Sequence, residues 1–154
     1  MMQKTLILLK PDCVQRSLVG EIMNRFERKG LKIVAMKMIH LNDDVLKDHY
    51  AHLADKPFFP GLANFMKASP VIALALEGHS AVEVVRTLVG ATSGRKADVG
   101  SIRGDYSISV SANLIHASDT PENAELELKR FFKDGEIFEY QRVDVDFIYA
   151  DDEK

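Results

Sequence analysis

The sequence predicts an α+β sandwich, a four-stranded antiparallel sheet with helices packed on it, and three observations carry that reading. Short apolar runs alternate with segments of helical period, in the order strand, helix, strand, an excursion, then strand, helix, strand, helix. At 154 residues the chain is long enough to bury one substantial core. No repeat, low-complexity stretch or Gly/Ser linker marks a boundary, so residues 1–154 are read as one domain.

Each element follows from local chemistry. Residues 5–9 (TLILL) are an apolar run ended by Lys10-Pro11 and read as a buried strand. Leu18, Val19, Ile22, Met23 and Phe26 then recur at helical spacing, with Glu21, Arg25 and Arg28 opposite. Gly30 closes that helix at the C′ position. Residues 31–41, rich in Ile, Val and Met without clean alternation, suit a long central strand. Asn42 is the expected N-cap of a helix over residues 43–54. The segment KPFFPG at 56–61 breaks the chain, and a short helix follows to Ala68. Residues 71–76 (VIALAL) make a third strand. Ser80 and Glu83 have the spacing of a capping box, opening a helix with Ala81, Val84, Val85 and Leu88 on one face. A long polar loop runs from Gly90 to about Asp105. Residues 114–117 read as a fourth strand, and Pro121 stands near the start of a last helix striped by Ala124, Leu128, Phe131 and Phe132. Two split βαβ halves in this order give a ferredoxin-like sandwich. The stretch between Gly90 and Asn113 exceeds what such a sandwich requires, and long loops of this kind are functional or disordered.

Composition removes several function classes. Hydrophobic residues are 46% and charged residues 28%, as in an ordinary soluble globular protein. No apolar run approaches bilayer length, and the N-terminal apolar core is too short for a secretory signal. Cys13 is the only cysteine, so no internal disulfide forms, in keeping with a reducing compartment, and a cytoplasmic location is expected. A net charge of −3 argues against bulk nucleic-acid binding while leaving room for a small basic pocket.

The chemistry-bearing residues are scattered. His116 lies within NLIHASD, between Ile115 and Ala117, and reads either as a satisfied core histidine or as a nucleophile or base displayed at a strand end. Lys10, Arg86 and Arg103 are each a solvated charge when taken singly; if they converge they form an oligophosphate site, since Arg grips phosphate oxygens bidentately and Lys supplies a point charge. No Walker-type P-loop and no kinase glycine loop is present. Phe58-Phe59 reads first as a hydrophobic staple and alternatively as an exposed ring on which a base stacks. His49 and His52 are three apart on a predicted helix, but no third ligand follows at metal-site spacing. Glu127 falls about 40° from Phe131 on a helical wheel, at the margin of the apolar stripe, where a carboxylate needs a partner such as an imidazole nitrogen.

KPDCVQRSLVGEI, HYAHLADKPFF, the Arg86 to Gly-Ala-Thr92 stretch, SIRGDY and NLIHASD occur in an order and spacing that resemble the nucleoside diphosphate kinases, from about residue 4 to residue 149. The resemblance implies that His116 is the nucleophile, taking the γ-phosphoryl from a nucleoside triphosphate and passing it to a diphosphate in a ping-pong cycle. It implies that Lys10, Arg86 and Arg103 neutralise the phosphates, that Thr92 donates to a phosphate oxygen, and that Tyr50 shapes the pocket. Phe58 would stack on the base, Asn113 and Lys10 would reach the ribose hydroxyls, and Ser118 and Glu127 would orient the histidine. Mg²⁺ would arrive with the nucleotide phosphates rather than occupy a protein cage. The implied partners are nucleoside tri- and diphosphates with little base selectivity, and copies of the chain itself, as a hexamer or alternatively a tetramer. A nucleotide- or nucleic-acid-binding regulatory domain of the same fold is the alternative, which a broken catalytic set would favour; here the set is intact.

The chain also departs from the resemblance. Ala117 stands where Gly is usual, a methyl expected to be tolerated. Cys13 replaces Gly or Ala and is expected to be inert, with an oxidation-sensitive thiol as the alternative. Ser93-Gly94 and Val99-Gly100 stand where a proline is common, each absence leaving the unfolded chain freer by about 0.4–1 kcal/mol and predicting a looser assembly. Phe147 replaces a common Trp, read as a packing change.

Overall fold

The computed structural model describes residues 1–154. Its centre is a sheet in the order β2-β3-β1-β4, every neighbouring pair antiparallel. Strand β1 (Met2–Leu9) pairs along its whole length with β3 (Val71–His79), from Met2 opposite His79 to Leu9 opposite Ile72. On its other side it takes the three-residue β4 (Ile115–Ala117), with Leu8 opposite His116. Strand β2 (Lys32–Ile39) closes the far edge.

Side chains alternate across the sheet and divide it into two buried layers. Leu6, Leu8, Ala73 and Ala75 face α3 (Asp43–His49), α4 (Phe59–Lys67) and α7 (Pro121–Phe131) through Leu46, Met66, Leu128 and Phe131. Ile7, Leu9, Leu74 and Leu76 face α2 (Val19–Arg28) and α5 (Ala81–Val89) through Ile22, Phe26 and Val85. The predicted α+β sandwich is therefore the fold observed, with helices on both faces. No helix is long and apolar enough to cross a membrane.

Several local expectations hold. Gly30 adopts φ +100°, the left-handed end that releases α2 into β2. The Asn42 side chain accepts from Val45 N–H at 2.9 Å. Pro121 stands in the first turn of α7 as expected, and the structure adds a cap from the Thr120 hydroxyl, which accepts from Asn123 N–H. The stripe on α7 is buried as expected, Ala124, Leu128, Phe131 and Phe132 all being 7% exposed or less.

Other expectations are corrected. Residues 31–41 were expected as a central strand, yet β2 lies at the edge and exposes Met36 and Met38. Apolarity reports what covers a strand's faces and carries no information about which strands flank it. The helix from Asp43 stops at His49, and turns follow to α4. Ser80 forms no capping box: it adopts a left-handed conformation (φ +48°) with no side-chain cap bond. One residue separates β3 from α5, so the reversal fixes the Ser80 backbone, and Gln3 Oε1 accepts from Val82 N–H instead. The long polar loop contains a five-residue helix, α6 (Ile102–Tyr106), and another, α1 (Pro11–Gln15), follows β1 directly. Phe147, expected to pack, is 92% exposed in this chain.

Candidate active site

The register of β1 against β4 places the end of β1 beside the start of β4, and a cavity of about 680 Å³ opens there. Lys10, Tyr50, Phe58, Arg86, Thr92, Arg103, Asn113 and His116 all line it. The other two singled out in sequence, Ser118 and Glu127, stand behind His116. The three cations, scattered over some ninety residues, thus line one cavity.

His116 is the middle residue of β4, flanked by the buried Ile115 and Ala117. Its Nε2 lies 3.1 and 3.0 Å from the two carboxylate oxygens of Glu127, on α7. Ser118 Oγ donates to Glu127 Oε2 at 2.6 Å and accepts from Leu6 N–H at 3.3 Å, which fixes it against β1. Burial pushes the Glu127 carboxyl up, but the hydrogen bond and charge of His116 and the Ser118 hydroxyl hold it below the ordinary carboxylate range. An ionised carboxylate only accepts, so Nε2 carries a proton, and in the neutral ring the lone pair is then the one on Nδ1.

The cations are held with equal care. Lys10, 7% exposed, donates from Nζ to Asn113 Oδ1 at 2.7 Å. Burial, then the Arg103 charge, lowers its pKa to about 8, with Asp12 opposing. Arg103, 5% exposed, donates Nε to Asn113 O (3.2 Å), Nη1 to Gly90 O (3.2 Å) and Nη2 to Ile115 O (2.6 Å). Three of its five N–H groups hold backbone, leaving two for a ligand. Burial and the neighbouring Arg86 both disfavour its charge, which it retains at neutral pH. Arg86 approaches from the last turn of α5. Asn113 Nδ2 donates to Thr92 O at 2.9 Å, drawing the two loop segments together.

The two phenylalanines differ sharply in burial. Phe59 is buried in the α3–α4–α7 layer, whereas Phe58 is 57% exposed at the cavity mouth near Leu62 and Val110. Tyr50, 9% exposed, lines the floor, with its hydroxyl pKa raised to about 12 by burial and then by Glu127.

His49 was not foreseen. Its ring meets that of His116 edge to face, centroids 4.6 Å apart, and it is also edge-on to Tyr50 and Phe131. Arg130 Nη1 donates to His49 Nδ1 at 3.2 Å, and Arg130 is itself paired with Asp48. Burial first, then the His116 charge, drives the His49 pKa down to about 3, so the ring is neutral. His52, three residues further on, is not part of the group: the metal-competent atoms that come together are those of His49, His116 and Glu127. Glu127 there is already engaged by His116 and Ser118, and the cavity wall carries no carboxylate. The donor set suits an anionic ligand.

Comparison with known proteins gives one answer throughout. The family model described as Nucleoside diphosphate kinase matches residues 3–137. The nucleoside diphosphate kinase of Parabacteroides distasonis is 57% identical over 152 residues, 99% of each chain. That of Rhodopirellula baltica is 51% identical over 99% of this chain and all of its own. Among solved structures, the Halobacterium salinarum nucleoside diphosphate kinase in complex with CDP superposes with a TM-score of 0.93 at 41% identity, covering 97% of this chain and 99% of its own. The Borrelia burgdorferi enzyme, a transition-state mimic with bound vanadate and ADP, superposes at 0.89 with 39% identity, covering 95% and 96%.

Proposed function

This chain belongs to the nucleoside diphosphate kinase family and is an enzyme of phosphoryl transfer between nucleotides, and from that premise we propose that His116 carries the phosphoryl group. The observation behind the assignment is the bond between His116 Nε2 and Glu127, which leaves the Nδ1 lone pair for attack.

In the first half-reaction Nδ1 attacks the γ-phosphorus of a nucleoside triphosphate. A P–N bond forms, the bond to the bridging oxygen breaks, and the nucleoside diphosphate leaves with that electron pair. In the second, a β-phosphate oxygen of another diphosphate attacks the phosphohistidine and Nδ1 recovers its lone pair. The Nε2 proton stays on the ring throughout, and Glu127 stabilises the positive charge that develops there as Nδ1 bonds phosphorus. Transfer of this kind depends on positioning and charge more than on covalent assistance. Lys10, Arg86 and Arg103 meet the phosphate charge, Thr92 donates to a phosphate oxygen, and Asn113 with Lys10 holds the ribose hydroxyls. Tyr50 closes the pocket beside the histidine.

Phe58 stacks on the base beside the apolar Leu62 and Val110, an environment with little to distinguish one base from another. Mg²⁺ carried by the nucleotide phosphates would supply further charge neutralisation. The chain acts as a single domain, residues 1–154, in the cytoplasm, and assembles as a hexamer or a tetramer. A regulatory domain without activity is not favoured, because the polar set is complete.

The test is incubation with Mg²⁺ and γ-labelled ATP, then a GDP chase. Acid-labile, base-stable label on His116 that passes to GTP is the expected result, and His116→Ala abolishes both steps. Full turnover by a clean His116→Ala preparation would overturn the mechanism.

A further inference from the structure

Asp12 belongs to the Lys10-Pro11-Asp12 motif, yet the reaction as described gives it no task. Its Oδ2, presented by α1, accepts the backbone N–H of Leu114 at 3.0 Å. Leu114 has φ +73°, a left-handed conformation that residues with a side chain avoid, and its own side chain is fully buried. Nothing about a leucine favours that turn, so its surroundings must impose it.

The surroundings hold every polar backbone group from Asn113 O to Ile115 O. Lys10 N–H donates to Leu114 O at 2.8 Å, and Ile115 N–H donates to Asn113 O at 2.9 Å. Arg103 grips Asn113 O and Ile115 O. The Leu114 N–H falls to Asp12. Asn113, before the turn, and His116, two residues after Leu114, both line the cavity. Strand β4 is only three residues long, and a slip of one residue would exchange His116 for its buried neighbours. So short a ladder needs a fixed entry. Asp12 Oδ1, moreover, is sealed from solvent with no hydrogen-bond partner. A buried carboxylate oxygen left unmatched is a cost to stability, and such exceptions are kept where function needs them.

We propose that Asp12 is a positioning residue for phosphoryl transfer: by holding the Leu114 N–H it fixes the left-handed turn that aims Asn113 and His116 into one cavity. The inference rests on the nucleophilic role given above to His116.

Three variants separate the hydrogen bond from the charge. Asp12→Asn keeps an acceptor oxygen in place without the charge, Asp12→Glu keeps the charge but misplaces the oxygen, and Asp12→Ala removes both. Single-turnover labelling of His116 at saturating ATP should stay within about threefold of the parent in the Asn variant. It should fall about tenfold or more in the Glu variant and about thirtyfold or more in the Ala variant, on preparations shown to be folded. A structural role alone would lower the thermal midpoint and leave that rate intact. An Ala or Glu variant within threefold of the parent, or an Asn variant as slow as Ala, overturns the proposal. Should Ala and Glu fail to fold, the parent decides: its Leu114 amide proton should exchange as slowly as those of β1, and exchange at a loop-like rate overturns the proposal. A parent that takes no label on His116 overturns the nucleophile itself, whereas a labelled parent with indifferent variants overturns Asp12 alone.

Discussion

Glu127 Oε2 lies 3.0 Å from His116 Nε2 and 2.6 Å from the Ser118 hydroxyl, so one carboxylate oxygen holds both the ring and its neighbour on the strand. Glu127→Gln separates charge from shape. The amide can turn its NH₂ toward Nε2, which draws the ring proton to Nδ1 and removes the attacking lone pair. Losing a charge-assisted bond of about 1.5–3 kcal/mol predicts a maximal rate roughly ten- to a hundredfold lower with little change in KM. Steady-state kinetics with two nucleotide pairs checks it; an unchanged kcat would remove the tautomer argument.

A pH effect follows from His49. In the folded chain its pKa is lowered to about 3, chiefly by burial, while in the unfolded chain it titrates near 6.5. Between those values the unfolded state binds the extra proton, so stability falls as pH falls, by about 1.4 kcal/mol per pH unit from this one group. The parent should therefore lose about 2 kcal/mol from His49 between pH 7 and pH 5, and His49→Gln should lack that part of the slope. Urea unfolding of both proteins at pH 7 and pH 5 measures the difference. Parallel slopes would mean that His49 is not held neutral.

Why His49 escaped the sequence reading is instructive. Its spacing from His52 suggested a shared helical face, but the helix stops at His49 and the ring turns toward α7, more than seventy residues away in the chain. Packing of that range leaves no trace in local spacing. The same limit hid the convergence of Lys10, Arg86 and Arg103 on one cavity from three separate elements, and the edge position of β2. Glu127 was legible because a carboxylate at the margin of an apolar stripe is a local anomaly. The strands, the Asn42 cap and Gly30 were legible for a similar reason, since each depends on near neighbours alone. Ser80 marks the boundary: its residue type fits a cap, but the single-residue link between β3 and α5 overrides it.

Phe58, at the cavity mouth, offers a ring with no further duty in the core. Phe58→Ala should weaken nucleotide binding by about 1–3 kcal/mol, the usual worth of base stacking on an aromatic ring, by a similar factor for adenine, guanine and cytosine nucleotides. Thermal stability should hardly move, since the ring is half exposed. Equilibrium binding of three diphosphates tests this, and a loss confined to one base would contradict sequence-tolerant stacking.

Arg103 combines two tasks that a pair of substitutions can pull apart. Its guanidinium bonds three carbonyls, those of Gly90, Asn113 and Ile115, while lining the cavity with two further N–H groups. Arg103→Ala should therefore cost stability as well as rate: the Asn113 carbonyl keeps the Ile115 N–H, but each buried carbonyl left without a donor costs about 1–3 kcal/mol, and the losses are not additive. Arg103→Lys restores a cation but spans one carbonyl at best, because an ammonium lacks the planar fork. The expected pattern is a lowered unfolding midpoint in both variants, with part of the triphosphate-dependent rate recovered only in Arg103→Lys. Both should lose rate equally for every base, as the proposed contact to phosphate requires. A base-selective loss, or an Arg103→Lys protein as stable as the parent, would show that the guanidinium does not bind phosphate and the Asn113–Ile115 backbone at once.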